Sequence, residues 1–393
     1  MRKDNYNFDT IPLREGTNTL KYDARGEVFG CEGVIPMWIA DMDFECPAAI
    51  GEAIRRRAEH NVYGYDFGGE VCSPSLIGWF GRRTGWKIAS EWLRYTPGVV
   101  TGLGFAIRAF AGKGQGVVIQ PPVYHPFSRM IEANSRFVVN NPLKQVGDRF
   151  EMDFADLDRK LVGAQAIILC NPHNPVGRVW TEAELRQVGE LCVKHDVTII
   201  SDEIHSDLVF APARHCHIAS LDPRFAERTV TFVAPSKTFN IAGLATSAAI
   251  IPSERLRAVW DKEWETSHVI GGTVFGHVAL RAAYDQSEEW LEELLPYLRA
   301  NIDHVRSFIA ENIPQVGTFE HQGTYLMWLD FRGLGFGSQK ELNSWLVDEA
   351  RLGLNSGADF GREGIGFARM NVATNRTTLN RALEQLAGAV LRK

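Results

Sequence analysis

The sequence predicts an α/β protein: a large unit with a mostly parallel sheet covered by helices on both faces, then a smaller α+β unit. Three features lead there. Residues 117–120, 166–170, 197–200 and 229–233 are short runs dominated by apolar and β-branched residues, so they read as strands buried on both faces. Helical patterns and turn residues separate them, which is the βαβ rhythm of a parallel sheet. Beyond Glu288 a long charged helix leads into strands at 325–330 and 367–373 and helices at 339–350 and 378–391, a mixture without that rhythm.

Composition narrows the class. The chain has 393 residues, 45% of them hydrophobic and 23% charged, enough for two packed units of ordinary globular character. A net charge of -6 without any basic run argues against nucleic acid as a partner. The polar N-terminus has no apolar leader core, and no stretch approaches the roughly 18 uninterrupted apolar residues of a membrane span. A cytoplasmic protein with no membrane partner is expected. The six cysteines, Cys31, Cys46, Cys72, Cys170, Cys192 and Cys216, include no C-x-x-C pair, so neither a disulfide framework nor a metal site is expected.

In chain order, a first apolar cluster at residues 34–40 runs into Asp41-Met42-Asp43-Phe44. Carboxylates two apart in a loop read as turn and cap residues, with a metal pair as the alternative. A helix is expected over 48–60, and residues 62–69 form an aromatic, Gly-rich loop whose Tyr63 and Tyr65 either pack or offer hydroxyls to a ligand or second subunit. Helix and turn follow over 79–86. Residues 94–102 then lead into a helix at 103–111, and a Gly-rich turn feeding a helix leaves backbone N–H groups free for an anion. A dinucleotide fingerprint at Gly102-Leu103-Gly104 fails, because Ile107 stands where the third glycine belongs.

The strand at 117–120 ends in Pro121-Pro122-Val123-Tyr124, and a helix carrying Arg129 and Ile131 follows. The strand at 166–170 breaks into Asn171-Pro172-His173-Asn174, after which Thr181 and Glu184 fit a capping box opening a helix to about residue 194. The run at 197–200 ends in Ser201-Asp202-Glu203-Ile204-His205, and 229–233 ends at Pro235-Ser236-Lys237. Ligands of open α/β sheets bind beyond the carboxyl ends of the strands, so Tyr124, Asn174, Asp202, His205, Ser236 and Lys237 can converge on one site. Taken singly each has a plainer reading, as a turn residue, a solvated cap, packing against proline or a surface lysine. Burial of Lys237 would lower its pKa and free the amine as nucleophile or base. Arg369 interrupts the apolar strand 366–372 and needs either a carboxylate of the chain, an exposed face or a bound carboxylate ligand.

The motifs Asn171 to Gly177, Ser201 to His205 and Ser236 to Leu244 together resemble the fold-type-I pyridoxal-phosphate enzymes, aminotransferase class I/II. Within them, residues 36–44, 122–127 and 323–328 are similar to the MalY/PatB cystathionine β-lyase (C-S lyase) branch, and the likeness runs almost end to end. It implies an N-terminal segment (1–47) contributing to the small domain and active site, a large cofactor-binding domain (48–287) and a small domain (288–393). Lys237 would carry pyridoxal 5'-phosphate covalently and Asp202 would pair with its ring nitrogen. Asn174 would bond the ring hydroxyl and touch substrate, Tyr124 would stack on the ring, and His205 would stand near that hydroxyl. The phosphate would rest on the amides of Val99 and Val100, on Ser236, and on Tyr65 from the other subunit of a homodimer. Ala40 and Arg369 would bind the amino-acid substrate, Arg369 through its carboxylate. Ala245 departs from relatives that carry a phosphate-binding arginine there. The implied activity is α,β-elimination on L-cystathionine or another cysteine S-conjugate. The alternatives are an aminotransferase and a cofactor-bound regulator acting by protein contact.

Overall fold

A computed structural model describes residues 6–393. Among them the large sheet has seven strands: β1 (Leu93–Thr96), β2 (Gly116–Ile119), β3 (Phe137–Asn140), β4 (Ala164–Cys170), β5 (Thr198–Asp202), β6 (Thr229–Val233) and β7 (Ser247–Ile250). Their spatial order is β1-β7-β6-β5-β4-β2-β3. Within this sheet β7 alone runs against its neighbours, so the sheet is mostly parallel. Every residue of β2, β6 and β7 is buried, as strands covered on both faces require. The edge strand β3 is partly exposed.

Helices supply the two covers. On one face α1 (Val99–Phe110), α2 (Pro126–Ala133) and α4 (Glu254–Glu265) pack Leu103, Phe127 and Trp260 against Ile168, Ile200 and Phe232 of the strands. On the other, α3 (Glu182–His195) buries Leu185 and Val188 against Ile167 and Ile199. The capping box expected at Thr181 and Glu184 forms, with both reciprocal bonds.

A second, antiparallel sheet has the order β8-β9-β11-β10, with β8 (Gly317–Thr318), β9 (Leu326–Asp330), β10 (Asn355–Ser356) and β11 (Phe367–Asn371). The long helix Glu288–Asn312 leads to it and packs against the terminal helix Arg376–Arg392. The N-terminal segment folds back onto this unit. Ile35 and Pro36 pair in parallel with Leu352 and Gly353, and Phe8, Met37 and Phe44 join a core shared with Leu291, Leu326 and Leu379.

Candidate active site

Register brings the strand ends together. Cys170, Asp202 and Phe232 lie in one row across β4, β5 and β6, and the chain then turns into Asn174, His205 and Lys237 within four residues of each strand's end. A cavity of about 280 Å³ opens there, lined by Ala40, Val99, Val100, Tyr124, Asn174, Asp202, His205, Ser236 and Lys237. Nine of the residues singled out in the sequence therefore share one space.

Helix α1 starts at Val99, four residues earlier than its pattern predicts. The reason is Gly98, whose φ of +136° only glycine adopts readily and which turns the chain directly into the helix. The amides of Val99 and Val100, in the first turn, have no acceptor within the helix. They face the cavity with the positive end of the helix dipole, an arrangement suited to a phosphate. Gly102 lets the helix approach β6: a Cβ there would stand 2.4 Å from the Phe232 ring.

Lys237 sits in the one-turn helix Pro235–Thr238, with Ser236 beside it. Its Nζ donates to the carbonyl oxygen of Ala40 at 2.6 Å, and the Tyr325 hydroxyl donates to the same oxygen at 3.0 Å. Burial is the largest influence on this amine and brings its pKa down to about 8; the charges of Asp41 and Asp202 offset only part of that. Two neighbours fix the turn. The buried carboxylate of Asp207 accepts from Thr238 Oγ1 at 2.8 Å and from Trp79 Nε1 at 3.0 Å. Asn240 bonds both the amide and the carbonyl of Met42 and the carbonyl of Phe44, clamping the N-terminal segment, and hence Ala40, over the lysine.

Asp202 closes β5 with Oδ1 accepting from the Ile204 amide at 3.2 Å, and it makes no ion pair among the described residues. Burial pushes its carboxyl up to about 7, so a cationic partner in the cavity would restore the ionised form. His205 Nδ1 is buried without a partner, and burial holds the ring neutral. Tyr124 is partly buried at the cavity wall, its hydroxyl pKa raised mainly by burial.

Arg369, buried on β11, does not itself line the cavity but bonds Asn174, which does. It has no carboxylate partner among the described residues. Nη1 donates to Asn174 Oδ1 at 3.0 Å and Nη2 to the Trp38 carbonyl at 2.8 Å and to Asn355 Oδ1 at 2.5 Å, while Nε is unpartnered. Held by neutral acceptors only, the guanidinium drops to about 10, through burial. Such a cation is a ready seat for a carboxylate.

Tyr65 does not join this cavity: its side chain is fully exposed in a loop with exposed Val62, Tyr63 and Phe67. Asp41 and Asp43 are neither turn caps nor a metal pair. Both are bound by Arg14, and Asp43 by the buried Lys21 at 2.9 Å, which ties down the same segment that presents Ala40. Sequence reasoning missed Tyr325, Asn240, Asp207 and Asn355. The motif around Tyr325 was visible, but nothing local marked its hydroxyl as a partner of Ala40.

Comparison with known proteins gives the chain's family and fold. The family model for aminotransferase class I and II matches residues 34–386. The cystathionine beta-lyase PatB of Bacillus subtilis is 41% identical over 98% of this chain and 100% of its own. Cystalysin from Treponema denticola, whose crystal structure contains pyridoxal 5'-phosphate, superposes with a TM-score of 0.95 at 32% identity, over 98% of this chain and 99% of its own. The PLP-bound C-S lyase of Staphylococcus hominis gives 0.90 at 31% identity, over 98% of each chain.

Proposed function

The chain belongs to the aminotransferase class I and II family, and from its site we propose that it is a pyridoxal 5'-phosphate-dependent C-S β-lyase, splitting L-cystathionine or related cysteine S-conjugates into a thiol, pyruvate and ammonia. The observation that carries the reading is the meeting of Lys237, Asp202 and the open end of α1 in one cavity. Relatives named for this activity support the choice of reaction.

The residues fit the cofactor. Free amides and Ser236 suit its phosphate, the raised carboxyl of Asp202 suits a protonated ring nitrogen, and the partnerless Nδ1 of His205 and the amide of Asn174 suit its hydroxyl. Lys237 would hold it covalently and Tyr124 would cover the ring. With Ala245 in place of an arginine, backbone and hydroxyl groups carry the phosphate. When bound, the cofactor supplies an electron sink for negative charge at the substrate's Cα.

The chain supplies the rest. Arg369 takes the substrate's α-carboxylate, exchanging neutral acceptors for a charge-assisted pair. Once free, Lys237, with its lowered pKa, removes the Cα proton as a general base and in its protonated form stands as the acid for the departing sulfur. Asp202 would pair its negative charge with the protonated ring nitrogen. The carbonyl of Ala40 and the hydroxyl of Tyr325 set the path of the amine.

A homodimer is part of this reading, with Tyr65 reaching the neighbouring subunit's phosphate site; full exposure of an aromatic loop on the single chain supports it. So is a division into a cofactor-holding unit (48–287) and a smaller unit from 288 to which the N-terminal segment (1–47) contributes, supported by the start of a 25-residue helix at Glu288 and by the pairing of Ile35 and Pro36 with Leu352 and Gly353. No helix among the described residues is long and apolar enough to cross a membrane, and six free cysteines support a reducing, cytoplasmic setting.

The test is an absorbance spectrum of the purified protein, then L-cystathionine with pyruvate assayed. A visible cofactor band lost in Lys237→Ala, with pyruvate released by the parent, is expected. A band that amino acids convert to the amine form of the cofactor, without pyruvate, would make the chain an aminotransferase. Absence of any band in cofactor-replete protein refutes the reading.

A further inference from the structure

We propose that Glu203, His215 and His217 form a buried divalent-metal site, with zinc the ion that fits, outside the cavity and independent of its cofactor. Glu203 follows Asp202 but does not line the cavity. Its Oε2 faces His215 Nε2 at 2.8 Å and His217 Nδ1 still closer, and the three side chains are 0%, 3% and 2% exposed. All three potential ligand atoms lie within 4.8 Å of one another.

The hydrogen-bond roles around His217 decide what must sit between these atoms. Thr84 Oγ1 donates its single proton to the Phe80 carbonyl at 2.9 Å. It can therefore only accept from His217 Nε2, 3.1 Å away. A neutral His217 then presents a bare Nδ1 to a carboxylate oxygen, two acceptors face to face. Either an extra proton or a metal ion has to stand between them. His215 adds a second imidazole nitrogen directed at the same oxygen, and burial favours its neutral, ligand-competent form.

The surroundings are those of a ligand set. Ser201 Oγ donates to the other carboxylate oxygen at 2.8 Å, and the His217 ring stacks on Trp86 at 4.6 Å. These outer contacts fix the carboxylate and the ring so that the free atoms converge, as second-shell partners do in metal sites. Two nitrogens and one oxygen suit zinc, whereas calcium and magnesium take oxygen ligands. Metal bonds of about 2.0–2.1 Å at tetrahedral angles separate ligand atoms by about 3.3 Å, so the 2.8 Å pair must open by about half an ångström and the closer His217–Glu203 pair by more. Both histidines lie in the coil that precedes the short helix Ile218–Leu221, where such a shift is available, and exposed Pro212 and Arg214 put that coil at the surface. Water would take the fourth position. Where a proton rather than a metal bridges Glu203 Oε2 and His217 Nδ1, the ion displaces it, so about one proton leaves per ion bound.

The experiment is a Co²⁺ titration of chelator-treated, cofactor-loaded enzyme. One equivalent giving the intense visible bands of four-coordinate cobalt, displaced by zinc and accompanied by release of about one proton, is expected. His217→Gln and His215→Gln should each weaken cobalt binding at least tenfold. Cobalt bound without those bands or without proton release overturns the proposal, on the parent protein and whatever the variants do. So does unchanged binding in folded His217→Gln, which would leave the cluster a hydrogen-bonded carboxylate with its two histidines.

Discussion

Lys237 Nζ donates to the carbonyl oxygen of Ala40 across 2.6 Å, a contact between residues 197 positions apart. The partner is a neutral carbonyl, so it orients the amine without the full stabilisation of the ammonium that a contacting carboxylate would bring. The N-terminal segment thereby sets both the position and the proton affinity of the residue on which the chemistry depends.

The first prediction concerns pH. With the pKa of Lys237 at about 8 against the usual value near 10.4, the cofactor-free protein should capture pyridoxal 5'-phosphate faster as pH rises through about 8, because only the free amine attacks a carbonyl. Between those two pKa values the folded state binds fewer protons than the unfolded, so this group also makes the protein more stable as pH rises across that window, and least favourable below it. Growth of the visible band at a series of pH values measures the first effect. A capture rate that keeps climbing toward pH 10 without levelling would show an unperturbed lysine.

Asn240 tests the clamp. Its left-handed backbone, φ +56°, is one that glycine also adopts, so Asn240→Gly removes the side chain's three hydrogen bonds to Met42 and Phe44 without new strain. At about 1 kcal/mol per bond the variant should lose about 2–3 kcal/mol of stability. Turnover should fall about tenfold through misplacement of Ala40 over Lys237. Denaturant unfolding and kcat check the two separately, and a stability loss with unchanged kcat would separate the clamp from catalysis.

Arg369 tests substrate recognition. Arg369→Lys keeps the charge but loses the planar fork, and should raise KM for amino-acid substrates about 10- to 100-fold, on the order of 2 kcal/mol of a charge-assisted pair. Steady-state kinetics decide it. Equal KM in parent and variant would mean the substrate carboxylate sits elsewhere.

What the sequence made legible follows from what is local. Buried strands announce themselves as apolar runs, and residues just past their ends inherit a position at the sheet's rim, so Asn174, Asp202, His205 and Lys237 stood out before any fold was known. Edge strands did not: β1 and β3 are four residues long and only partly buried, too short and mixed to carry a period. Contacts made across the fold left no trace either. Tyr325 meets Ala40 from 285 residues away, and Asp41 and Asp43 resemble turn residues until Arg14 and Lys21 are seen on them. The glutamate and two histidines at 203, 215 and 217 escaped a reading that looked for metal ligands among the cysteines and at Asp41 and Asp43.

Tyr65 gives the test of subunit sharing. Fully exposed on its own chain, it can serve a phosphate only in a neighbour's site. Tyr65→Ala should weaken cofactor retention, leaving little activity at limiting cofactor, and Lys237→Ala should be inactive outright. Unfolding and refolding the two variants together produces mixed dimers in which one site has lost both residues and the other has both intact. The mixture should then recover about a quarter of the parent's activity, since half the dimers are mixed and each holds one good site of two. A tyrosine acting within its own subunit predicts no such recovery, because every site would keep one defect. Activity of the refolded mixture at limiting cofactor, compared with each variant refolded alone, decides between the two.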